Sequence, residues 1–128
     1  MAISAMNHFT VLTDDVPRTV HFYCNLLGLV DGARPDLGFP GAWLYAGDAA
    51  ILHIVGGKPR EQLKPGVIDH MAFSATGLSE MLATLITYNI EHTCRRQVGT
   101  GLWQVFLFDP NGARVELDFA ASEVQTRK

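Results

Sequence analysis

The chain has 128 residues, 48% of them hydrophobic and 18% charged, with a formal net charge of −3. That length suits one compact domain or two small half-domains, and that balance excludes a disordered chain. With no basic block, nucleic acid is not an expected partner, and no apolar run approaches the roughly 18 residues that suggest a membrane span.

The opening stretch MAISAMNHF lacks the basic flank and long apolar core of a secretory signal. Residues 7–13 read as a first strand. Asp14 or Asp15 can then cap a helix whose first turn holds Pro17. Val16, Val20, Tyr23 and Leu27 fall at helical spacing on one face, and Gly28 is the stop. Leu29-Val30 starts a second strand, and the Gly- and Pro-rich stretch Asp31–Gly41 reads as a loop. Trp43-Leu44-Tyr45 makes a third strand, Gly47-Asp48 a hairpin turn and Ala49–Val55 a fourth strand. Half one is therefore β-α-β-β-β.

Residues 57–66 are polar and rich in turn formers, a linker between halves. In half two His70–Ala75 is a strand, and Leu78, Met81, Leu82, Leu85 and Tyr88 give a helical apolar face that Asn89 can end. Strands follow over His92–Gln97, Leu102–Phe108 and, after the Asp109-Pro110-Asn111-Gly112 turn, Arg114–Phe119. Half two is again β-α-β-β-β. The boundaries are module one 1–56, linker 57–66, module two 67–120 and a polar tail 121–128, whose residues from Ser122 on are expected to fray. Cys24 and Cys94 are far from any CxxC spacing and read as two reduced thiols of a cytoplasmic protein.

An offset of 62 lays the halves over one another, His8 on His70 and Val20 on Leu82, with His53 falling one residue short of Glu116. Four residues stand out on this frame: His8, His53, His70 and Glu116. They are polar, metal-capable side chains in or at the start of predicted strands, where β-branched and aromatic residues are favoured. His8 and His53 are 45 positions apart, His70 and Glu116 46. Three imidazoles and one carboxylate brought to one point would bind a divalent transition metal, and zinc, nickel, cobalt, manganese and iron all accept such donors. One or two open positions would take water or substrate, and Glu116 could also leave the metal to shuttle a proton.

The remaining polar residues are weaker candidates. His21, beside Arg18 and Asn25, and His92, after a turn, are expected at the surface. Tyr45, Phe39, Trp43, Trp103 and Phe106 can line a cavity or fill the core, and Trp43 and Trp103 look like counterparts in the two halves. Arg95, Arg96 and Arg114 could hold an anionic substrate, or stand solvated. There is no GxSxG, and neither cysteine has a nucleophile context, so a hydrolase is not expected.

Four stretches carry a family resemblance: NHFTVLTDDVPRTVHFYCNLLGL with its FY…LGL helix end, AILHIV, DHMAFSA and FLFDPNGARVELDF. In these the chain resembles the vicinal oxygen chelate superfamily, which includes glyoxalase I, extradiol ring-cleaving dioxygenases, methylmalonyl-CoA epimerase and the fosfomycin and bleomycin resistance proteins. The resemblance implies an α+β fold of two paired βαβββ modules, a cupped mixed sheet around a metal site often completed across a homodimer. It implies His8, His53, His70 and Glu116 as the ligands.

Where glyoxalase I usually has a carboxylate or amide, this chain has His53. The bacterial enzyme also holds glutathione with an Arg four residues after the first His, here Leu12, and an Asn four residues after the second ligand, here Gly57. The expected function is metal-dependent proton abstraction and isomerisation through a metal-stabilised enediolate on a small oxygenated substrate, with Glu116 as ligand and base. One alternative is an iron(II) ring-cleaving dioxygenase using His8, His70 and Glu116. The other is a binding protein for flat aromatic drugs, against which the four retained ligands argue.

Overall fold

The structure, a computed structural model, describes residues 2–125. It forms two compact units, Met1–Lys64 and Pro65–Lys128. The fold is α+β, with one four-stranded mixed sheet in each unit.

In unit one, β1 (Phe9–Leu12) leads into α1 (Val16–Val20). Asp15 caps this helix, its Oδ1 accepting from the Arg18 N–H at 3.1 Å, and Pro17 sits in the first turn, where a missing N–H costs nothing. The fully buried hydroxyls of Thr13 and Thr19 bond each other at 2.9 Å, which fixes the helix to the end of the strand. From His21 to Leu26 the helix widens into a π-helix, with the Leu27 N–H reaching back five residues to the Phe22 carbonyl. This shifts the inward face from the expected Val16, Val20, Tyr23 and Leu27 to Thr19, Phe22, Tyr23 and Leu26.

The chain continues through β2 (Val30–Gly32), β3 (Gly41–Ala46) and β4 (Ala49–Val55), in sheet order β1-β4-β3-β2. Strands β1 and β4 are parallel and the other pairs antiparallel. Gly41 is required where it stands, because a Cβ there would meet the Ile54 carbonyl oxygen of the neighbouring strand. Ala42, Leu44, Leu52 and Ile54 are buried, alternating with the residues that face the other way.

Unit two repeats the order: β5 (Met71–Ala75), α2 (Leu78–Thr87), β6 (His92–Arg96), β7 (Trp103–Phe108) and β8 (Arg114–Phe119), arranged β5-β8-β7-β6 with β5 and β8 parallel. Helix α2 buries Leu78, Leu82 and Leu85, while Tyr88 is exposed. Asn89 ends the helix in the left-handed region, at φ 56°. Val105, Leu107, Val115, Leu117 and Phe119 complete the core of this unit.

The tail differs from the expectation through Val124. Gly77, the N-cap of α2, has no side chain to cap it, and the Glu123 carboxylate supplies the cap, accepting from the N–H groups of Gly77 and Leu78. The Ser79 hydroxyl donates to the Val124 carbonyl, and the Trp103 indole to the Glu123 carbonyl at 2.7 Å. Residues 126–128 lie outside the described residues. No helix among the described residues is long and apolar enough to cross a membrane.

Candidate functional site

Parallel pairing decides which residues meet. In unit one Thr10 of β1 lies opposite His53 of β4, and in unit two Ala72 of β5 lies opposite Glu116 of β8. Each stands two residues after a histidine, His8 or His70, so the two pairs occupy matching places in two equivalent ladders. Both histidines precede their strands by one residue instead of lying within them, since the ladders begin at Phe9 and Met71. On the next strand, Trp43 pairs with His53 and Phe106 with Glu116. Phe106, not Trp103, is therefore the counterpart of Trp43. Trp103 lies opposite Phe119 and is tied to the tail.

In unit one the His8 and His53 rings stack, centroids 3.7 Å apart and planes 14° from parallel. Trp43 stacks on His53 from the neighbouring strand, at 4.2 Å and 11°. Burial, then the neighbouring His8 imidazole and the Arg34 guanidinium, hold the His53 imidazole below its ordinary range, against a backbone hydrogen bond at Ala50 that favours its charged form. A neutral imidazole keeps a lone pair for a metal.

In unit two His70 Nε2 lies 2.9 Å from Glu116 Oε1, and Gln104 Nε2 donates to Glu116 Oε2 at 3.1 Å. Glu116 is buried, only 7% exposed. Burial pushes its carboxyl upward, but hydrogen bonds from Asp118 and Gln104 and the His70 imidazole outweigh it and leave the group below the usual carboxylate range. Asp118 takes the opposite course: burial and the adjoining Glu116 carboxylate raise it to about 6.

The two histidines before the strands share a further feature. His8 Nδ1 lies 2.7 Å from Asn7 Oδ1, and His70 Nδ1 lies 2.7 Å from Asp69 Oδ2. Asp69 also accepts from Arg114 Nη1 at 2.9 Å. A metal-binding histidine is usually held this way, its second nitrogen donating to an oxygen so that ring orientation and tautomer are fixed. Asn7 and Asp69 are themselves matched by the offset of 62.

These donors suit a divalent transition metal. Imidazole nitrogen and carboxylate oxygen are both donors that such a metal accepts, and the 2.9 Å between His70 Nε2 and Glu116 Oε1 is that of a direct hydrogen bond. Among the described residues no three His, Cys, Asp or Glu side chains form a group that could hold a metal ion; of the four expected ligands the structure brings together His8 with His53 and His70 with Glu116.

Of the other candidates, His21 is exposed and His92 Nδ1 meets the Ile90 carbonyl at 2.8 Å. Cys24 and Cys94 are free, and burial, joined at Cys24 by the Asp31 carboxylate, raises both thiols above their ordinary value, the reverse of an activated nucleophile. Arg96 Nη1 is spent on the carbonyls of Gly101 and Ala121, and its guanidinium stacks on Trp103. Asn7, Asp69, Gln104 and Asp118 escaped the sequence reading. The signals were present: Asn-His and Asp-His at matched positions, and Asp118 two residues past Glu116 on one strand, hence on the same face.

A family model described as Glyoxalase/Bleomycin resistance protein/Dioxygenase superfamily matches residues 5–117. Glyoxylase I 4 of Arabidopsis thaliana is 26% identical over 122 residues, covering 90% of this chain and 70% of the relative. The structure is similar to that of lactoylglutathione lyase from Agrobacterium tumefaciens, with TM-score 0.66, 18% identity, and coverage of 94% of this chain and 97% of the other. It is also similar to a variant of the fosfomycin resistance protein FosX from Listeria monocytogenes, solved with Mn(II) and 1S,2S-dihydroxypropylphosphonic acid. That match has TM-score 0.73 and 17% identity, covering 92% of this chain and 93% of the other. At these identities the two solved structures speak for the fold alone.

Proposed function

The chain belongs to the glyoxalase/bleomycin resistance/dioxygenase superfamily, and from that premise we propose that it is a metal-dependent enzyme of the glyoxalase type, moving a proton on a carbon beside a carbonyl of a small oxygenated substrate. The ligands in this reading are His8, His53, His70 and Glu116. The observation that carries it is the matched pair of histidines whose Nδ1 atoms are engaged by the residue before them, which leaves Nε2 as the donor.

When bound, the ion would lower the pKa of the C–H next to a carbonyl. The chain's own part is to supply the base and hold it in place. Glu116 takes the proton, Gln104 fixes its Oε2, and Asp118, two residues on and on the same face of β8, is the neighbour to which that proton can pass. Trp43 and His8 hold the His53 ring from either side. We place the enzyme in the cytoplasm as a homodimer; the two free thiols suit a reducing compartment. A monomeric mass by light scattering at micromolar concentration would remove the dimer.

The test is metal content of untagged protein purified without oxygen or chelator, followed by assay of 2-oxoaldehydes with and without a thiol. Leu12 and Gly57 offer no charged side chain to a tripeptide thiol, so thiol-free carbonyls belong in the assay. About one nickel, cobalt, manganese or zinc ion per chain, lost in His53→Ala and Glu116→Ala together with proton exchange at the carbon, is the expected result. Iron with oxygen-dependent cleavage of a catechol would move the assignment to a ring-cleaving dioxygenase. No metal after reconstitution would overturn it.

A further inference from the structure

Strands β6, β7 and β8 turn a polar face outward around Glu116. Cross-strand partners share a face, so Arg95 stands with Gln104 and Asp118, and Thr93 with Phe106 and Glu116. Two arginines reach the Phe106 ring from the strands on either side of it. Arg95 of β6 places its guanidinium carbon 5.4 Å from the ring centroid, and Arg114 of β8 places its own at 4.5 Å. An aromatic face attracts a cation and orients a guanidinium without using its N–H donors.

The three arginines of this sheet are spent differently. Arg96 is committed to two backbone carbonyls. Arg114 Nη1 donates to Asp69, and among the described residues its other N–H groups have no hydrogen-bond partner. Arg95 is exposed and, among the described residues, has no hydrogen bond and no carboxylate partner. Among the described residues the Phe106 ring is what holds it, on the face that carries Glu116.

We propose that Arg95, assisted by Arg114, binds an anionic group of the substrate, a carboxylate or a phosphoryl group on a part of the molecule that does not react. A planar fork of donors pre-set on an aromatic ring is built to take two oxygens of such a group. Arg95 is then a specificity-determining residue, and the substrate is an oxygenated carbonyl compound bearing a second, anionic end. This rests on the proposed function for what happens at Glu116, while the anion contact itself needs only this sheet.

The test uses the full chain, with and without zinc, labelled for NMR. Acetate and methylphosphonate are titrated in separate arms while the arginine Nε–H signals are followed. The expected result is saturable movement of the Arg95 and Arg114 signals, with Arg95→Gln weakening binding about tenfold or more. Arg95→Lys, which keeps the charge but loses the fork, should fall in between, and Arg18→Gln in unit one should bind as wild type. Stronger binding in one arm tells a carboxylate-bearing substrate from a phosphoryl-bearing one. Binding that Arg95→Gln leaves unchanged in both arms overturns the assignment. If zinc is held and Arg95→Gln has no effect, the anion contact alone fails. If zinc is not held and Arg95→Gln still weakens binding, the metal reading alone fails.

Discussion

His53 in unit one sits between two rings, while Glu116, at the same ladder position of unit two, sits among hydrogen-bond partners. Neighbouring positions differ in the same sense. Gly41 of unit one matches Gln104 of unit two, since they lie opposite Val55 and Asp118. A side chain at Gly41 would come within about 3.0 Å of Arg34 Nη2, so the bare glycine leaves room for that guanidinium, which donates to the Phe39 carbonyl at 3.0 Å. Arg34 lies two residues past the end of β2, the strand that takes the place of β6 in unit one. Gln104 fills the same space in unit two and donates to Glu116, and Arg95 remains outward. One backbone plan thus presents a neutral donor on an aromatic face and an anionic donor on a polar face.

The largest expected effects come from removing the donor of either half. His53→Ala and Glu116→Gln should each reduce metal content to below about a tenth of wild type, measured by mass spectrometry of digested protein. Equal losses would mean that the halves contribute one pair each. Full metal in one variant would break the symmetry and place the site in the other half. Next come the residues that orient the histidines. Asp69→Ala should weaken metal binding by about 10–100-fold in chelator competition. Asn7→Ala should cost less than Asp69→Ala, because an amide oxygen is a weaker acceptor than the carboxylate that Arg114 also holds. Equal losses from the two variants would show that the Arg114 ion pair adds nothing.

Much of this fold was legible because the pattern is local. β4 and β8 have the predicted bounds, and Pro17, Gly28 and Asn89 punctuate as their backbone preferences require. The family likewise followed from local motifs. What failed was set by contacts distant in sequence or by a change in helical period. No 3.6-residue periodicity announces a π-helix, so the buried face over residues 16–27 was misplaced. Glu123 caps a helix whose N-cap, Gly77, lies 46 residues earlier in the chain, so the tail looked free to fray. The pairing of Trp43 with Trp103 was an error of register that only the ladder corrects. The matched ladder places of His53 and Glu116, and of His8 and His70 before their strands, were visible because the repeat aligned them; Asp118 was not, because half one has Val55 at its place.

A smaller effect should appear in stability. Asp15 caps α1 from within its own turn, and Glu123 caps α2 from the far end of the unit. Asp15→Ala and Glu123→Ala should each cost about 1 kcal/mol of unfolding free energy, the usual worth of a cap. Glu123→Ala should also release the tail, raising exchange of the Gly77 and Leu78 amides while leaving those of unit one unchanged. Protection retained at Gly77 and Leu78 would contradict the remote cap.

The smallest effect, in metal-free protein, separates the halves by pH. Asp118 has its carboxyl raised to about 6 by burial and by Glu116, against an ordinary 3.8. Between those values the folded chain binds a proton that the unfolded chain releases. The protonated acid therefore favours folding at low pH, and that contribution is lost as pH rises through about 6. Asp118→Asn removes the titration, so the variant should gain stability relative to wild type between pH 5 and pH 7.5, by less than about 1 kcal/mol after solvent screening. Urea midpoints at the two pH values measure it. Val55→Asn at the matching place of unit one should show no such pH-dependent gain, because no acid stands there to be relieved. A gain for Asp118→Asn that is the same at both pH values would mean that packing, not the shared proton with Glu116, sets the difference.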